Sequence, residues 1–358
     1  FTGGALTLNA GLTTTGEVII ANAAAFTTAA AGDIDSTKFT QSGAGTNKLS
    51  GDIATTSDIT FATAVELTGN VVATATGANS TISFAGTINS STTDARNLTL
   101  SAGKDILLSA ALGGTNKLGA LTLNGTGITR LGGSVTATSV ASDAAGTIEL
   151  FGAVTTTGGT QSYADSELQL KSNITLTGTT VTVGKVVGET HALTITGNAQ
   201  LGAAGGSDTI SGLTTLEVSG TTALDVASVT SSGAQTYTGA VTLGQAAVLT
   251  GAGINFVSTL DGANTLTITD TATTTFGGTV GGTTRLTSLL VNGTGATLII
   301  GGAVKTVGAQ TYSNAVELRA ATTLTGSVVS FLNTVLGDDG TSKFALNVVG
   351  DAILGDSS

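Results

Sequence analysis

The chain has 358 residues and a formal net charge of −11, and only 10% of its residues are charged, against roughly 25% in an ordinary globular domain. Its 12 Lys and Arg are scattered, which excludes the basic clusters that nucleic-acid binding requires. Cys is absent, so disulfides and thiol chemistry are excluded. No apolar run approaches the ~20 residues of a membrane-spanning helix. The composition therefore predicts no nucleic-acid partner and no membrane insertion.

Taken in chain order, short stretches alternate apolar residues with Thr, a pattern that predicts β-strands with one buried face. The clearest are Leu6–Leu8, Leu98–Leu100, Leu121–Leu123, Ile174–Leu176, Leu193–Ile195 and Leu266–Ile268. Many end in Gly and Asn clusters that favour turns. The best helical candidate, Ala21 to Ala31, contains Thr27 and Thr28 and has no clear cap. Pro is absent, as suits strands paired on both sides. The sequence predicts an all-β fold.

One motif recurs along the chain. Gly233 to Leu243 reads GAQTYTGAVTL and returns as GAQTYSNAVEL at Gly308 to Leu318. Looser copies lie at Gly159 to Leu170 and at Ile59 to Leu67. All three tyrosines fall in this motif at nearly equal spacing: Tyr163, Tyr237 and Tyr312. The spacing predicts a module of about 75 residues.

A finer period lies inside the module. Phe256 follows Tyr237, Phe276 follows Phe256, and Phe331 follows Tyr312, each after roughly 19–20 residues, which is the length of one solenoid coil. A unit of this length cannot bury its apolar face alone, but stacked units bury a continuous interior and pair their backbones. The period predicts a parallel β-helix, or β-solenoid, of about 18 coils of roughly 19–20 residues. We expect one continuous solenoid over 1–358, with diverged repeats in 1–150 and clearer modules in 151–358.

The parity of the motif predicts which side chains form the core. Tyr237, Val241 and Leu243 share one face of the strands, whereas Thr242 lies on the other. We expect the tyrosines to occupy one repeated structural site. The predicted core comprises Phe61, Phe84, Tyr163, Tyr237, Val241, Leu243, Phe256, Tyr312, Val316, Leu318 and Phe331.

A string of immunoglobulin-like sandwiches is the competing architecture, since a module of about 75 residues is only somewhat short of such a domain. The shorter echo within each module, the lack of Pro in edges and linkers, and the absence of Trp count against it. The solenoid is the favoured interpretation.

The Gly-Ala-Gln-Thr-Tyr motif, the Leu-Thr-Gly turns at 249–251 and 324–326, and the run Phe276 to Thr283 resemble the repeat regions of filamentous-haemagglutinin-like adhesins and autotransporter passengers. The resemblance covers residues 150–358 well and the first 150 more loosely. It implies a right-handed parallel β-helix, export across a bacterial envelope, and a role as a stalk, adhesin or matrix fibre at the cell surface.

Candidate chemistry is sparse. The single His191 has no second His or Cys with which to form a metal site or a catalytic triad. The acidic turns Gly32 to Asp35 and Gly337 to Gly340 offer oxygens to Ca²⁺ but match no known calcium-loop pattern. We therefore predict no catalytic residue, no metal site and no cofactor.

Two further functions fit the sequence less well. Repeated Thr-x-Thr pairs on a flat face could match a water lattice, as in an ice-binding solenoid, but here the pairs are scattered among modules. A polysaccharide-degrading enzyme built on a β-helix would need a cleft with clustered Asp, Lys or Arg, and the Lys and Arg do not cluster.

The sequence thus predicts a non-catalytic, extracellular fibre or stalk segment at a bacterial surface. The alternative is an adhesin that binds surface glycans or proteins. Phe1 to Leu8 is already strand-like, and Phe344 to Leu354 still carries the repeat pattern. We therefore expect the partners to be further repeats or copies of the chain, stacked end to end.

Overall fold

The computed structural model describes residues 1–92, 94–142, 145–203, 205–337 and 340–355. Over these residues the fold is all-β, with parallel strands stacked as a β-solenoid of about 17 turns. The predicted solenoid is therefore confirmed. No helix in the described ranges is long and apolar enough to cross a membrane.

The chain forms two compact units, Phe1–Thr182 and Val183–Ser358. The first unit contains β1 Thr2–Gly3, β2 Leu6–Leu8, β3 Leu12–Thr13, β4 Glu17–Asn22, β5 Phe26–Thr28, β6 Ile34–Ser36, β7 Lys38–Gln41, β8 Asn47–Leu49, β9 Ile53–Thr55, β10 Ile59–Phe61, β11 Val65–Leu67, β12 Val71–Ala75, β13 Ile82–Phe84, β14 Ile88–Ser90, β15 Leu98–Ala102, β16 Ile106–Leu108, β17 Leu118–Gly125, β18 Ile128–Leu131, β19 Val135–Ser142, β20 Thr147–Leu150, β21 Val154–Thr156, β22 Thr160–Tyr163, β23 Glu167–Leu170 and most of β24 Ile174–Val183.

The second unit contains β25 Val186–Leu201, β26 Thr209–Val218, β27 Thr222–Leu224, β28 Ser228–Ser231, β29 Gln235–Tyr237, β30 Val241–Leu243, β31 Ala247–Gly251, β32 Ile254–Phe256, β33 Leu260–Asp261, β34 Thr265–Asp270, β35 Thr274–Phe276, β36 Ser288–Gly293, β37 Thr297–Ile299, β38 Ala303–Lys305, β39 Gln310–Tyr312, β40 Val316–Leu318, β41 Thr322–Phe331, β42 Val335–Leu336 and β43 Leu346–Leu354.

In the first unit the strands stack into three parallel columns. Column A consists of β2, β5, β8, β11 and β14. Column B consists of β3, β6, β9, β12, β15 and β17. Column C consists of β1, β4, β7, β10, β13, β16, β18, β20 and β23. Beyond these regular strands, β19, β21, β22 and β24 continue columns A and B.

The second unit repeats the three-column arrangement. Column D consists of β28, β31, β34, β36, β39 and the C-terminal half of β41. Column E consists of β29, β32, β35, β37, β40 and β42. Column F consists of β27, β30, β33, the bridged residue Val280, β38, the N-terminal half of β41, and β43.

Coil length varies, which accounts for about 17 turns where 18 were predicted. Tyr237 pairs with Phe256 across a coil of the predicted length. The coil that joins Phe276 to its partner Ile299 is longer, and the coil from Val71 to Leu98 is longer still. The longer coils place their additional residues in loops between strands.

The core follows from the period-2 pattern, because side chains of alternate residues in each strand point into the coil. In β12 the inward Val71, Ala73 and Ala75 are buried, whereas the outward Val72 is exposed. The helical candidate at 21–31 is strand instead, since β4 ends at Asn22 and β5 begins at Phe26. There Thr27, one of two consecutive β-branched residues, pairs with Thr7 of the neighbouring coil.

Candidate functional site

The repeated motif is the feature around which the interior is organised. All eleven residues predicted for the core are at most 2% exposed: Phe61, Phe84, Tyr163, Tyr237, Val241, Leu243, Phe256, Tyr312, Val316, Leu318 and Phe331. Thr242, predicted to face outward, is exposed.

A buried amide organises each tyrosine copy of the motif. The Tyr237 hydroxyl donates to Gln235 Oε1 at 3.1 Å. Gln235 Nε2 donates to the carbonyl oxygens of Val229 at 3.3 Å and Thr250 at 2.9 Å. Gln235 is fully buried, so these bonds satisfy an amide whose desolvation would otherwise be costly.

The other two copies repeat this network. Tyr163 donates to Gln161 Oε1 at 2.8 Å, and Tyr312 donates to Gln310 Oε1 at 3.0 Å. Gln161 Nε2 donates to Val154 O and Thr177 O, and Gln310 Nε2 donates to Val304 O and Thr325 O. The fourth copy has Ile59 where these have Gln, and Phe61 where these have Tyr. Because Phe61 has no hydroxyl, that copy cannot donate the hydrogen bond that the Gln amide oxygen accepts in the others.

The glutamine was not predicted as a core residue, although the sequence contains the signal. Gln stands two residues before Tyr in three copies, and two residues is the spacing of one strand face. A polar side chain on the inward face of a buried strand requires partners there.

Burial changes the acidity of these tyrosines. Desolvation raises the pKa of Tyr237 and of Tyr312 well above the ordinary value for a phenol. The pKa of Tyr163 is also raised, first by burial and second by the nearby carboxylate of Asp165. All three phenols therefore act as neutral hydrogen-bond donors.

Aromatic rings stack along the columns. The ring centroid of Tyr237 lies 5.3 Å from that of Phe256, which lies 5.7 Å from that of Phe276. Tyr312 and Phe331 are 5.6 Å apart, with their ring planes inclined by 14°. In the first unit Phe61 stacks on Phe84 at 4.8 Å. Stacked aromatic pairs stabilise by about 0.5–1.5 kcal/mol beyond their buried area.

The tyrosine copies of the motif repeat the same local hydrogen bonds, but they do not lie in one column. Tyr237 belongs to column E, where it pairs with Phe256. Tyr312 belongs to column D, where it pairs with Val291 and Phe331. From β29 to β39 the chain passes through ten strands and bridged Val280, eleven positions in all. Because each coil has three sides, eleven positions amount to three complete coils and two further sides.

No protein family, curated protein or solved structure gives a significant match to the chain. The network and the column pairing therefore stand on this structure alone, and the resemblance to bacterial surface repeats stays a prediction.

The side chains with potential for chemistry are dispersed. His191 lies in β25 opposite Leu213, next to the left-handed residues Glu189 and Thr190. Asp33 Oδ1 accepts a hydrogen bond from the backbone of Asp52 at 2.8 Å, so it stabilises a turn. Among the described residues no group of three or more His, Asp or Glu side chains is arranged to hold a metal ion. The acidic pair at 338–339 lies outside the described residues.

Outward-facing Thr residues form short columns. Thr136, Thr155 and Thr177 are in register. In the second unit Thr230 pairs with Thr250, which pairs with Thr269, and the column then changes to Asn292. A lattice-matching face needs the same residue at the same place in every coil, so these columns give little support to ice binding.

Proposed function

We propose that this chain is a non-catalytic structural segment of a fibre or stalk at a bacterial surface. The observation that carries the proposal is the parallel pairing of successive coils within each unit. Column E pairs six successive strands from β29 to β42. Each coil is thereby held to the next by backbone hydrogen bonds, an arrangement suited to bearing load along the stack.

The buried network supports the same proposal. In the motif that recurs most closely among the described residues, the Gln and Tyr side chains lie in the interior. Gln235 and Tyr237 are each fully buried. The repeated Gln and Tyr side chains stabilise the coil from within, where a substrate does not reach them. We infer that the motif recurs because of the architecture and not because of a reaction.

We further propose that the stack is extended by another coil of the same kind. Strand β43 pairs with β41, and its inward residues Val348 and Leu354 lie opposite the buried Leu324 and Phe331. Leu354 is 76% exposed. A strand with one neighbour presents unpaired backbone groups that recruit another strand. Further repeats of a longer polypeptide, or a second copy of this chain, would supply that strand.

The extension is tested by placing charge on this strand. The variant V348K/L354K, which places charge at two inward positions of β43, should decrease self-association of the purified chain, measured by analytical ultracentrifugation and electron microscopy at matched concentrations. The control V257K/V307K adds the same charge at two sites away from β43 that are 46% and 68% exposed, and should leave association unchanged. Filaments formed equally by all three proteins would refute stacking through β43.

The surface role is tested on intact cells of the source organism. An antibody raised against this chain should label surface fibres or extracellular matrix in immuno-electron microscopy, and added protease should remove the label without lysis. Label confined to the cell interior would overturn the proposal.

A further inference from the structure

A groove of about 250 Å³ lies in the first unit beside β14, where column A is interrupted. Its lining includes Ala64, Glu66, Asn89, Ser91, Thr115 and Asn116. It forms because column A stops being a regular strand after β14. In the next coil only Leu112 bridges to Ile88, and the following residues loop over the outer side of β14.

Specific hydrogen bonds hold this loop. Gly113 begins it with φ of +65°, a conformation that glycine adopts most readily. Asn89 Oδ1 accepts from the Thr115 backbone N–H at 2.9 Å. Asn116 Nδ2 donates to Ser90 O at 3.0 Å, and Ser90 N donates to Asn116 O at 3.2 Å. The groove is therefore a built feature with fixed walls.

The walls present polar groups that the loop does not use. Within the described residues, no hydrogen bond is made by Nδ2 of Asn89 or by Oδ1 of Asn116. The Glu66 carboxylate contacts Lys48 through one oxygen at 3.5 Å, and its side chain is 37% exposed. One amide donor, one amide acceptor and one carboxylate thus face a small recess beside Ala64.

The second unit contains the same turn with different chemistry. There Val280 bridges Leu260 and Val304, as Leu112 bridges Ile88 and Val135. Gly281 has φ of +65°. Asp261 Oδ1 accepts from both Thr283 N and Thr284 N. In this alignment Glu66 corresponds to Thr242 and Asn116 to Thr284, so the scaffold does not require the amide and carboxylate of the first unit.

We propose that this groove binds a neutral saccharide, one sugar residue at a time. Vicinal hydroxyls both donate and accept, so they can pair with the Glu66 carboxylate, Asn89 Nδ2 and Asn116 Oδ1, while a sugar C–H face contacts Ala64. The volume lies below that of clefts for drug-sized ligands, which begin at about 300 Å³, as fits a single ring. The inference is independent of the fibre proposal.

Other ligand classes fit less well. Ca²⁺ takes 6–8 oxygen ligands, and Glu66 is the one carboxylate in the lining. An added peptide strand needs free backbone groups on β14, but Ile88 N donates to Ala111 O, Gly113 N donates to Ile88 O, and Ser90 N donates to Asn116 O. An anion would meet the carboxylate of Glu66, and the one cation beside it, Lys48, already contacts that carboxylate.

The test uses the full chain and four probes: the methyl glycosides of glucose, galactose, mannose and N-acetylglucosamine. Saturation-transfer NMR should detect at least one of them, with Kd on the order of 1 mM. The variant E66T/N116T gives the groove two of the residues found at the equivalent place in the second unit, and should weaken that binding at least about tenfold. The matched control T242A alters the equivalent place in the second unit and should bind as the parent does.

Circular dichroism of all proteins confirms that the fold is retained, and the conservative variant E66Q separates loss of charge from loss of shape. The proposal is overturned if no probe binds at concentrations about tenfold above the expected Kd, or if E66T/N116T binds as well as the parent chain. Saturable Ca²⁺ binding lost in E66T/N116T, without sugar binding, would replace it with a cation site.

Discussion

At the scale of single residues, the buried Gln–Tyr pairs are the most consequential polar feature. Gln235 donates hydrogen bonds to the carbonyl oxygens of Val229 and Thr250, and it accepts one from the Tyr237 hydroxyl. One side chain of column E is thereby bonded to β28 and β31, two successive strands of column D. Removing a single partner leaves another buried group unsatisfied, which costs more than the bond itself contributes.

Replacing Tyr237 by Phe should therefore destabilise the second unit by about 1–3 kcal/mol, because Gln235 Oε1 loses its donor in the interior. Chemical denaturation followed by circular dichroism measures the change. The adjacent outward substitution Thr236→Val should lie within about 0.5 kcal/mol of the parent chain. Equal effects of the two would show that the phenol bond contributes little.

The raised pKa values of the tyrosines predict sensitivity to alkali. A pKa that is higher in the folded state than the ordinary value of about 10 favours folding fully below that pH and loses this contribution as pH rises. The second unit, which contains Tyr237 and Tyr312, should lose about 2.7 kcal/mol per pH unit above pH 10. The first unit, with Tyr163, should lose about 1.4 kcal/mol per pH unit.

Unfolding free energies at pH 9, 10, 10.5 and 11 would measure these slopes. The double variant Y237F/Y312F should flatten the slope of the second unit and leave that of the first. A slope unchanged by this substitution would assign the alkaline instability to other groups.

At the scale of elements, two turns of the first unit depend on glycine for separable reasons. Gly113 has φ of +65°, and a Cβ there would lie 2.0 Å from Thr136 O. Gly158 has φ of +74°, but a Cβ there would meet nothing within 4 Å. The two positions share the backbone conformation and differ in the space around it.

Gly158→Ala should cost about 1–2 kcal/mol, the ordinary penalty for a left-handed alanine. Gly113→Ala should cost more, since the backbone of the next coil must also move. Thermal and urea denaturation of the two variants, which lie in the same unit, compare the costs directly. If Gly158→Ala proved the more damaging, the close approach at Thr136 would be irrelevant to stability.

The elements also show where sequence reasoning succeeds and where it stops. Alternation identified the inward faces because a strand side chain points in or out according to parity alone, as at Val241, Thr242 and Leu243. The groove was not predictable, because Thr115 meets Asn89 from the neighbouring coil, far away in sequence. The turn that brings them together has the same Gly and Asn composition as ordinary turns elsewhere in the chain.

At the scale of the whole molecule, we expect the net negative charge to limit association. The chain has 23 Asp and Glu against 12 Lys and Arg. Lowering the pH toward 4 protonates the carboxylates and brings the net charge toward zero, a condition that promotes association. Light scattering should show growth of particle size between pH 6 and pH 4, reversed on return to pH 7. A particle size that did not change between pH 6 and pH 4 would show that charge repulsion does not limit association.

The displacement of the motif between columns determines where duplication places the outward residues of each new copy. Copying the segment from Tyr237 to Tyr312 acts as a screw operation, advancing three coils and rotating the motif by two thirds of a circuit, from column E to column D. The outward residue Thr242 of column F accordingly has its counterpart, Glu317, in column E. Three successive copies would bring the motif to every side. The outward residues of the motif are therefore distributed over different sides of the coil. A binding face confined to one side must come from loops outside the duplicated motif.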